Sequence, residues 1–274
     1  MIVAQLALPL CGMTLPELVA DGVGLLREHE PAEGYYGCFS GGKDSCCIKR
    51  LALEAGVKVR WHYNVTTIDP PELVRFIRAA HPDVTFVRPR HGNMIHRAAE
   101  VKGFPTRRVR WCCEEYKETM SPHGETMIMG IRSAESAARA KRWRDVTFHT
   151  RSHAWVVSPI LHWTTAHVWG FIRDRRIPYC SLYDEGFDRL GCIGCPMARM
   201  SGRRREFDRW PKFEAAWRRA FQRIWERRAG SVRRDGREWF GTARFASWEE
   251  MWEWWLSDDP LPGEQDDCQQ EMWQ

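Results

Sequence analysis

The sequence predicts an α/β fold with a mostly parallel, doubly wound sheet and a helical C-terminal appendage. Three observations lead there. Short apolar runs alternate with segments whose apolar residues recur at helical spacing. The runs are rich in β-branched and aromatic residues, as buried strands are. A Gly-Gly turn in Ser40-Gly41-Gly42-Lys43-Asp44-Ser45 joins one run to a helix, at the carboxyl end of a strand where such sheets bind ligands.

The elements follow in order. Residues 1–34 read as a lead-in in which Leu6, Leu8 and Leu10 pack as a strand or leading segment. Tyr35-Tyr36-Gly37-Cys38-Phe39 is a short buried strand, and Ile48, Leu51, Ala52 and Ala55 mark the helix after the turn. Val57 to Val65 alternates as a strand. Pro70-Pro71-Glu72 opens a helix through Phe76, Ile77 and Ala80, with proline where its missing N–H costs nothing. Asp83–Val87 is a third strand, Met94–Val101 a helix, and Met127–Ile131 and Ala154–Val157 two further strands. A nucleotide-binding domain thus occupies 35–200 and carries the paired cysteines, and 201–274 forms the appendage.

Composition bounds the rest. A chain of 274 residues that is 43% hydrophobic buries a substantial core, which excludes a disordered protein. It has no apolar run of about 18 residues, so no membrane span is expected. The apolar start lacks a basic flank, so a cytoplasmic protein is expected. In that reducing setting ten cysteines suggest metal or thiol chemistry and not disulfides. Cys11, Cys38, Cys46 and Cys47 read as small buried hydrophobes.

The 40–45 loop suits a polyphosphate. Its glycines let backbone amides approach closely, and the helix start adds unpaired N–H groups and a positive dipole end. Ser40 and Ser45 offer hydroxyls, Lys43 an exposed point charge, and Asp44 a carboxylate for a metal riding on the phosphates, Mg²⁺ above all.

Cys112-Cys113 and Cys192-Ile193-Gly194-Cys195 form the second signal. Gly194 permits the tight turn of a Cys-x2-Cys loop, and two pairs make a four-thiolate set suited to zinc or an iron–sulfur cluster. Two separate buried pairs, or a redox dithiol at Cys192 and Cys195, are the other readings. Cys180 is a substitute for Cys112 or Cys113. Beyond Arg199 nine of fifteen tryptophans crowd with arginines, among them Arg203, Arg218, Arg233 and Arg234. Phe213, Trp217, Phe221, Ile224 and Trp225 share a helix face, which turns the arginines outward as a solvated basic surface or a nucleic-acid contact. Asp258–Gln274 reads as a loosely held acidic tail.

Ser40–Ser45 resembles the PP-loop of the ATP pyrophosphatase superfamily, which cleaves ATP to AMP and pyrophosphate. Gly130-Ile131-Arg132-Ser133-Ala134-Glu135-Ser136 with Arg139 resembles the Gly-x-Arg-x-x-Glu-Ser segment of the phosphoadenylyl-sulfate (PAPS) reductase family. Ser158-Pro159-Ile160-Leu161-His162-Trp163-Thr164 with Val168-Trp169, and Leu182–Phe187, resemble that family's following motifs. Arg110-Trp111-Cys112-Cys113 with Lys117 is similar to the double-cysteine motif of adenylyl-sulfate (APS) reductases that hold a [4Fe-4S] cluster. The likeness runs over residues 35–200 with its motifs in order. It implies an adenine nucleotide α-hydrolase-like sheet, with ATP held by Ser40, Gly41, Gly42, Lys43, Ser45, Arg132 and Glu135, and Lys43, Asp44 and Arg132 in the chemistry. It implies a [4Fe-4S] cluster, with Zn²⁺ as the alternative, on Cys112, Cys113, Cys192 and Cys195.

Two departures sort the members. Sulfonucleotide reductases lack Lys-Asp-Ser in the loop, whereas it is intact here, and their Glu-Cys-Gly-Leu-His nucleophile is replaced by Asp267-Cys268-Gln269. The chain is in this respect similar to the ATP-pyrophosphatase component of DNA phosphorothioation and to sulfur-transfer enzymes of nucleic acids. The expectation is an enzyme that adenylates an acceptor for sulfur transfer, with a nucleic-acid substrate, a sulfur-donor protein and a homo-oligomer as partners. A sulfonucleotide reductase using Cys268 is the alternative, and a non-catalytic nucleotide-sensing subunit the second.

Overall fold

The computed structural model describes residues 12–118, 124–150, 153–229, 231–232, 236 and 244–260. In chain order its elements are α1 (Leu15–Glu28), β1 (Tyr35–Cys38), α2 (Lys43–Ala55), β2 (Val59–Asn64), α3 (Pro71–Ala80), β3 (Thr85–Val87) and α4 (Met94–Arg97), which runs into a π-turn at Ala98–Lys102. Then come α5 (Trp111–Cys113), β4 (Met127–Ile128), α6 (Ala137–Arg142), β5 (Val146–His149), β6 (Ala154–Val157), α7 (Thr165–Asp174), α8 (Met200–Arg209), α9 (Pro211–Arg228) and α10 (Trp248–Leu256). The chain divides into two units, one of residues 1–65, 69–90 and 115–191, the other of 66–68, 91–114 and 192–274. This division puts Cys112, Cys113, Cys192 and Cys195 with the C-terminal helices, whereas the sequence groups them with the nucleotide loop.

The first unit holds a six-stranded sheet of order β3-β2-β1-β4-β6-β5. Every pairing is parallel except that of β5 with β6, so the expected mostly parallel α/β sheet is present. Strand β1 pairs with β2 through Tyr35–Val59 and with β4 through Tyr36–Met127, which places the loop after β1 between two crossovers. Tyr36, Met127, Ile131, Ala154, Val156 and Leu161 form one core cluster. The antiparallel edge β5 has no counterpart in the sequence reading, and β4 is shorter than the expected 127–131 because Ile131 turns back to Met129 O.

Helix α1 lies inside the stretch expected to be a lead-in. Thr14 and Glu17 cap it reciprocally, and Leu18 and Leu26 are buried. Each such fully buried leucine contributes about 1.5–3 kcal/mol. The expectations for Leu6, Leu8, Leu10, Cys11, Arg233, Arg234, Cys268 and most of the acidic tail lie outside the described residues. Among the described residues no helix is long and apolar enough to cross a membrane.

The second unit is built on aromatic packing. Trp217, Phe221 and Ile224 on α9 meet Trp252 and Trp255 on α10, with Phe221 ring centroids 5.2 and 5.1 Å from the two tryptophans. Phe104 stacks on Phe221 at 4.7 Å. Most arginines here do face outward, but Arg203 does not. Its guanidinium is buried and donates to Trp255 O, to Ser257 O at 2.8 Å and to Asp258 Oδ1 at 3.1 Å, tying α8 to the end of α10.

Candidate nucleotide loop and thiol set

Strand β1 ends at Cys38, and α2 begins at Lys43 with Gly42 as its N-cap. Gly41 has φ +74°, and a Cβ there would stand 2.7 Å from Leu73 and Ile77 Cδ1 of α3, so no other residue fits this turn unstrained. Ser45 Oγ donates to Gly42 O at 2.8 Å and lies 3.3 Å from Ser40 Oγ, which fixes both hydroxyls at the helix start. The first-turn amides of α2 lack carbonyl partners within the helix, the arrangement that attracts anions.

Lys43 is buried, not exposed as its sequence context suggests. Its amide donates to Tyr183 Oη at 2.9 Å, and its ammonium reaches Asp188 O at 3.3 Å and Asp44 Oδ2 at 3.4 Å over the Tyr183 ring. Asp44 Oδ1 accepts from Arg132 Nε at 2.6 Å. Arg132 is only 4% exposed, and its Nη1 donates to Trp163 O and Thr165 Oγ1 at 3.4 and 3.3 Å. The structure therefore brings Ser40 to Ser45 and Arg132 together as one charged cluster, two cations sharing one carboxylate. Glu135 stands apart from this cluster: it accepts from the Arg132 amide at 3.4 Å and pairs with Arg139.

Sequence reasoning missed four contributors, Thr165 with its hydroxyl among them. Tyr183 lies in the quoted Leu182–Phe187 motif without a role, and burial pushes its phenol up, which keeps it protonated. Asp188 and Trp163 contribute backbone carbonyls, which leave no signature in residue type. Cys46 and Cys47 are buried as expected, and burial pushes the Cys46 thiol up to about 12. Cys180 is buried in this same unit.

Among the described residues, the second unit holds Cys112, Cys113, Cys192 and Cys195. The Cys112 thiol is pushed far up by its hydrogen bond with Cys113 and by burial, and the Cys192 and Cys195 thiols add to the effect. Gly194, at φ +74°, makes the turn between Cys192 and Cys195, and its amide donates to Glu206 Oε2 at 2.7 Å. Arg110 Nη2 donates to Cys113 Sγ at 3.2 Å, and Cys192 Sγ to Thr66 Oγ1 at 3.5 Å. Among the described residues no three His, Cys, Asp or Glu side chains converge in coordinating geometry.

The family model described as phosphoadenosine phosphosulfate reductase domain matches residues 35–198. The chain belongs to this family. The match takes in the nucleotide loop, Arg132, Cys112, Cys113, Cys192 and Cys195. An uncharacterised protein of Methanocaldococcus jannaschii is 32% identical over 194 residues, 64% of this chain and 40% of that protein. A second from the same organism is 29% identical over 65% of this chain and 45% of its own length, so the chain spans less than half of both. An adenosine 5′-phosphosulfate reductase of Oceanobacillus iheyensis is 37% identical over 68 residues, 25% of this chain and 28% of the enzyme. Among solved structures, a PAPS reductase of Candida auris aligns with TM-score 0.48 at 15% identity over 66% of this chain and 96% of its own. An FMN adenylyltransferase of Candida glabrata aligns with TM-score 0.47 at 17% identity over 66% and 62%.

Proposed function

We propose that this PAPS reductase-family chain is an AMP-forming ATP pyrophosphatase that adenylates an acceptor oxygen and so prepares it for sulfur transfer. The observation that supports it is the intact Ser40–Ser45 loop on the start of α2 with the Lys43–Asp44–Arg132 cluster beside it. In this reading the loop amides and Lys43 hold the β and γ phosphates, and Arg132 offsets the charge that grows as pyrophosphate departs. In the step, the acceptor oxygen bonds to the α-phosphorus, the bond from that phosphorus to the β-bridging oxygen breaks, and the acceptor proton passes to water. Lys43 uses two of its three donors on Asp44 and Asp188, which leaves one for a phosphate oxygen. Glu135 acts by holding the Arg132 backbone.

Asp44 would hold Mg²⁺ through Oδ2, whose partner is the more distant Lys43. One carboxylate suffices for an ion that takes its other ligands from phosphate and water. Cys112, Cys113, Cys192 and Cys195 would hold a [4Fe-4S] cluster, with Zn²⁺ as the alternative. Their chemistry suits such a group, since thiolates are the ligands of both zinc and iron–sulfur centres, while among the described residues the four do not stand in coordinating geometry. When bound, the cluster supplies either a structural clasp or a place where sulfur is handed over from a donor protein. Cys180, the candidate substitute, lies in the unit of the nucleotide loop.

Calorimetric titration with ATP·Mg²⁺ and with PAPS, together with an assay of AMP and pyrophosphate release, tests the reading. ATP should bind and be cleaved. Lys43→Ala should weaken ATP binding about 10- to 100-fold, the loss of one hydrogen bond to a charged group. The stretch shared with adenosine 5′-phosphosulfate reductases favours sulfonucleotide reduction as the second reading. PAPS binding without ATP binding, and sulfite release in the presence of a dithiol, would establish that reading instead.

A further inference from the structure

The unit that carries the four thiols also contains a cleft of about 500 Å³ that the proposed step does not use. Helix α9 forms one wall, where Lys212, Arg219 and Arg223 recur at helical spacing above an apolar floor of Phe213 and alanines. Its acid, Glu100, is already neutralised by Arg223 at 3.2 Å and Arg227 at 2.8 Å. Lys212 and Arg219 are exposed, and among the described residues neither enters an ion pair. The cleft therefore carries surplus positive charge over an apolar base. That combination suits phosphates joined to planar rings.

A second observation comes from Thr67, which lines the cleft. It holds φ +68°, an outlier for a β-branched residue. Its hydroxyl accepts from the Met94 amide at 2.9 Å, at the start of α4. The residues on either side of it are hydrogen-bonded to the thiol loop: Thr66 Oγ1 accepts from Cys192 Sγ, and Ile68 O accepts from the Ile193 amide at 2.8 Å. Backbone strain is thus held at a residue whose neighbours join the cleft to the thiol loop.

We infer that this cleft binds a single-stranded nucleic-acid segment, with backbone phosphates on Lys212 and Arg219 and a base against Phe213, beside the cysteine set. The inference names the acceptor class and for its catalytic meaning rests on the proposed adenylation. Binding itself requires no ATP.

Fluorescence anisotropy tests it, using a labelled single strand of about twelve nucleotides, the span of an ordinary single-strand site, in a series of salt concentrations. The wild type should bind, with log affinity falling linearly with log salt. Lys212→Ala with Arg219→Ala should lower that slope by about 1.4 and weaken binding about 25-fold at 0.1 M salt, the loss of two phosphate contacts. Both positions are exposed, and circular dichroism checks that the fold is kept. Phe213→Leu should weaken binding about 10-fold without changing the slope, the loss of one stacked base. Lys43→Ala should bind the strand as the wild type does. An unchanged slope in the double variant, no binding by the wild type, or equal binding of a labelled mononucleotide or of the duplex would overturn the inference. Strand binding that responds to Lys212 and Arg219 in a protein that fails to cleave ATP would sink the adenylation reading and leave this one standing.

Discussion

Replacing Arg132 by methionine removes a buried guanidinium that Asp44 depends on. The lost contacts are the 2.6 Å pair with Asp44 and the Nη1 bonds to Trp163 O and Thr165 Oγ1. Removing one partner of a buried pair costs about 3–5 kcal/mol, because the other charge is left uncompensated. Asp44 keeps Lys43 at 3.4 Å and is 19% exposed, so the low end, about 3 kcal/mol, applies. For a chain of this size that corresponds to a melting temperature lower by about 6–12 °C. Activity should fall with it: AMP formation should drop about 10²- to 10³-fold, the usual loss when one preorganised donor is removed. Because a stability loss accompanies the activity loss, comparing the two does not isolate the site, and a double-mutant cycle does. Thermal melts of Arg132→Met, Asp44→Asn and the double variant should show the double close to the worse single, with a coupling of about 1.5–3 kcal/mol. Additive single effects, with coupling below about 0.5 kcal/mol, would refute the view that these two side chains form one unit.

Anaerobically purified wild type should be brown and contain iron and sulfide, and Cys192→Ser should be colourless and less stable; stoichiometric zinc without iron would rule out the cluster. Burial and the Lys49 ammonium hold His81 at about 4, below its ordinary 6.5, so the folded state binds fewer protons than the unfolded one between these values. Stability should therefore be complete above pH 6.5 and decline as pH falls towards 4, and chemical denaturation of His81→Phe across this range should show a flatter profile. Gly41→Ala forces a Cβ into the left-handed region and towards Leu73 and Ile77, so it should cost about 1–2 kcal/mol and weaken ATP binding; wild-type affinity would show that the turn does not shape the site.

Much of the sheet was legible because its strands are short apolar runs between clear punctuation. Pro71 marks the start of α3, and Gly41-Gly42 the turn into α2. Helix α1 was not, since Leu18 and Leu26 are well separated and the segment was read together with the apolar stretch before it. Strand β5 was hidden because Val146 to His149 is only partly buried, with Phe148 exposed, so no core periodicity singles it out. At the candidate site, ionic residue types announced Lys43, Asp44 and Arg132, but pairing depends on burial that no local pattern encodes. The family-like motif assigns Arg132 to the site, but not its burial or its pairing with Asp44. Arg203 misleads, because it sits amid arginines that do face water.

The unit holding the thiols is drawn from three separated stretches, 66–68, 91–114 and 192–274, while the loop-bearing sheet lies between and before them. During synthesis at about 5–20 residues per second, the ribosome releases Cys112 and Cys113 several seconds before Cys192 and Cys195. For that interval the vicinal pair has no opposing sulfurs, and the α9 and α10 aromatics that complete its surroundings are still unmade. The proposed centre would therefore assemble only after Cys195 has emerged, and nascent chains stalled before Cys192 should remain metal-free.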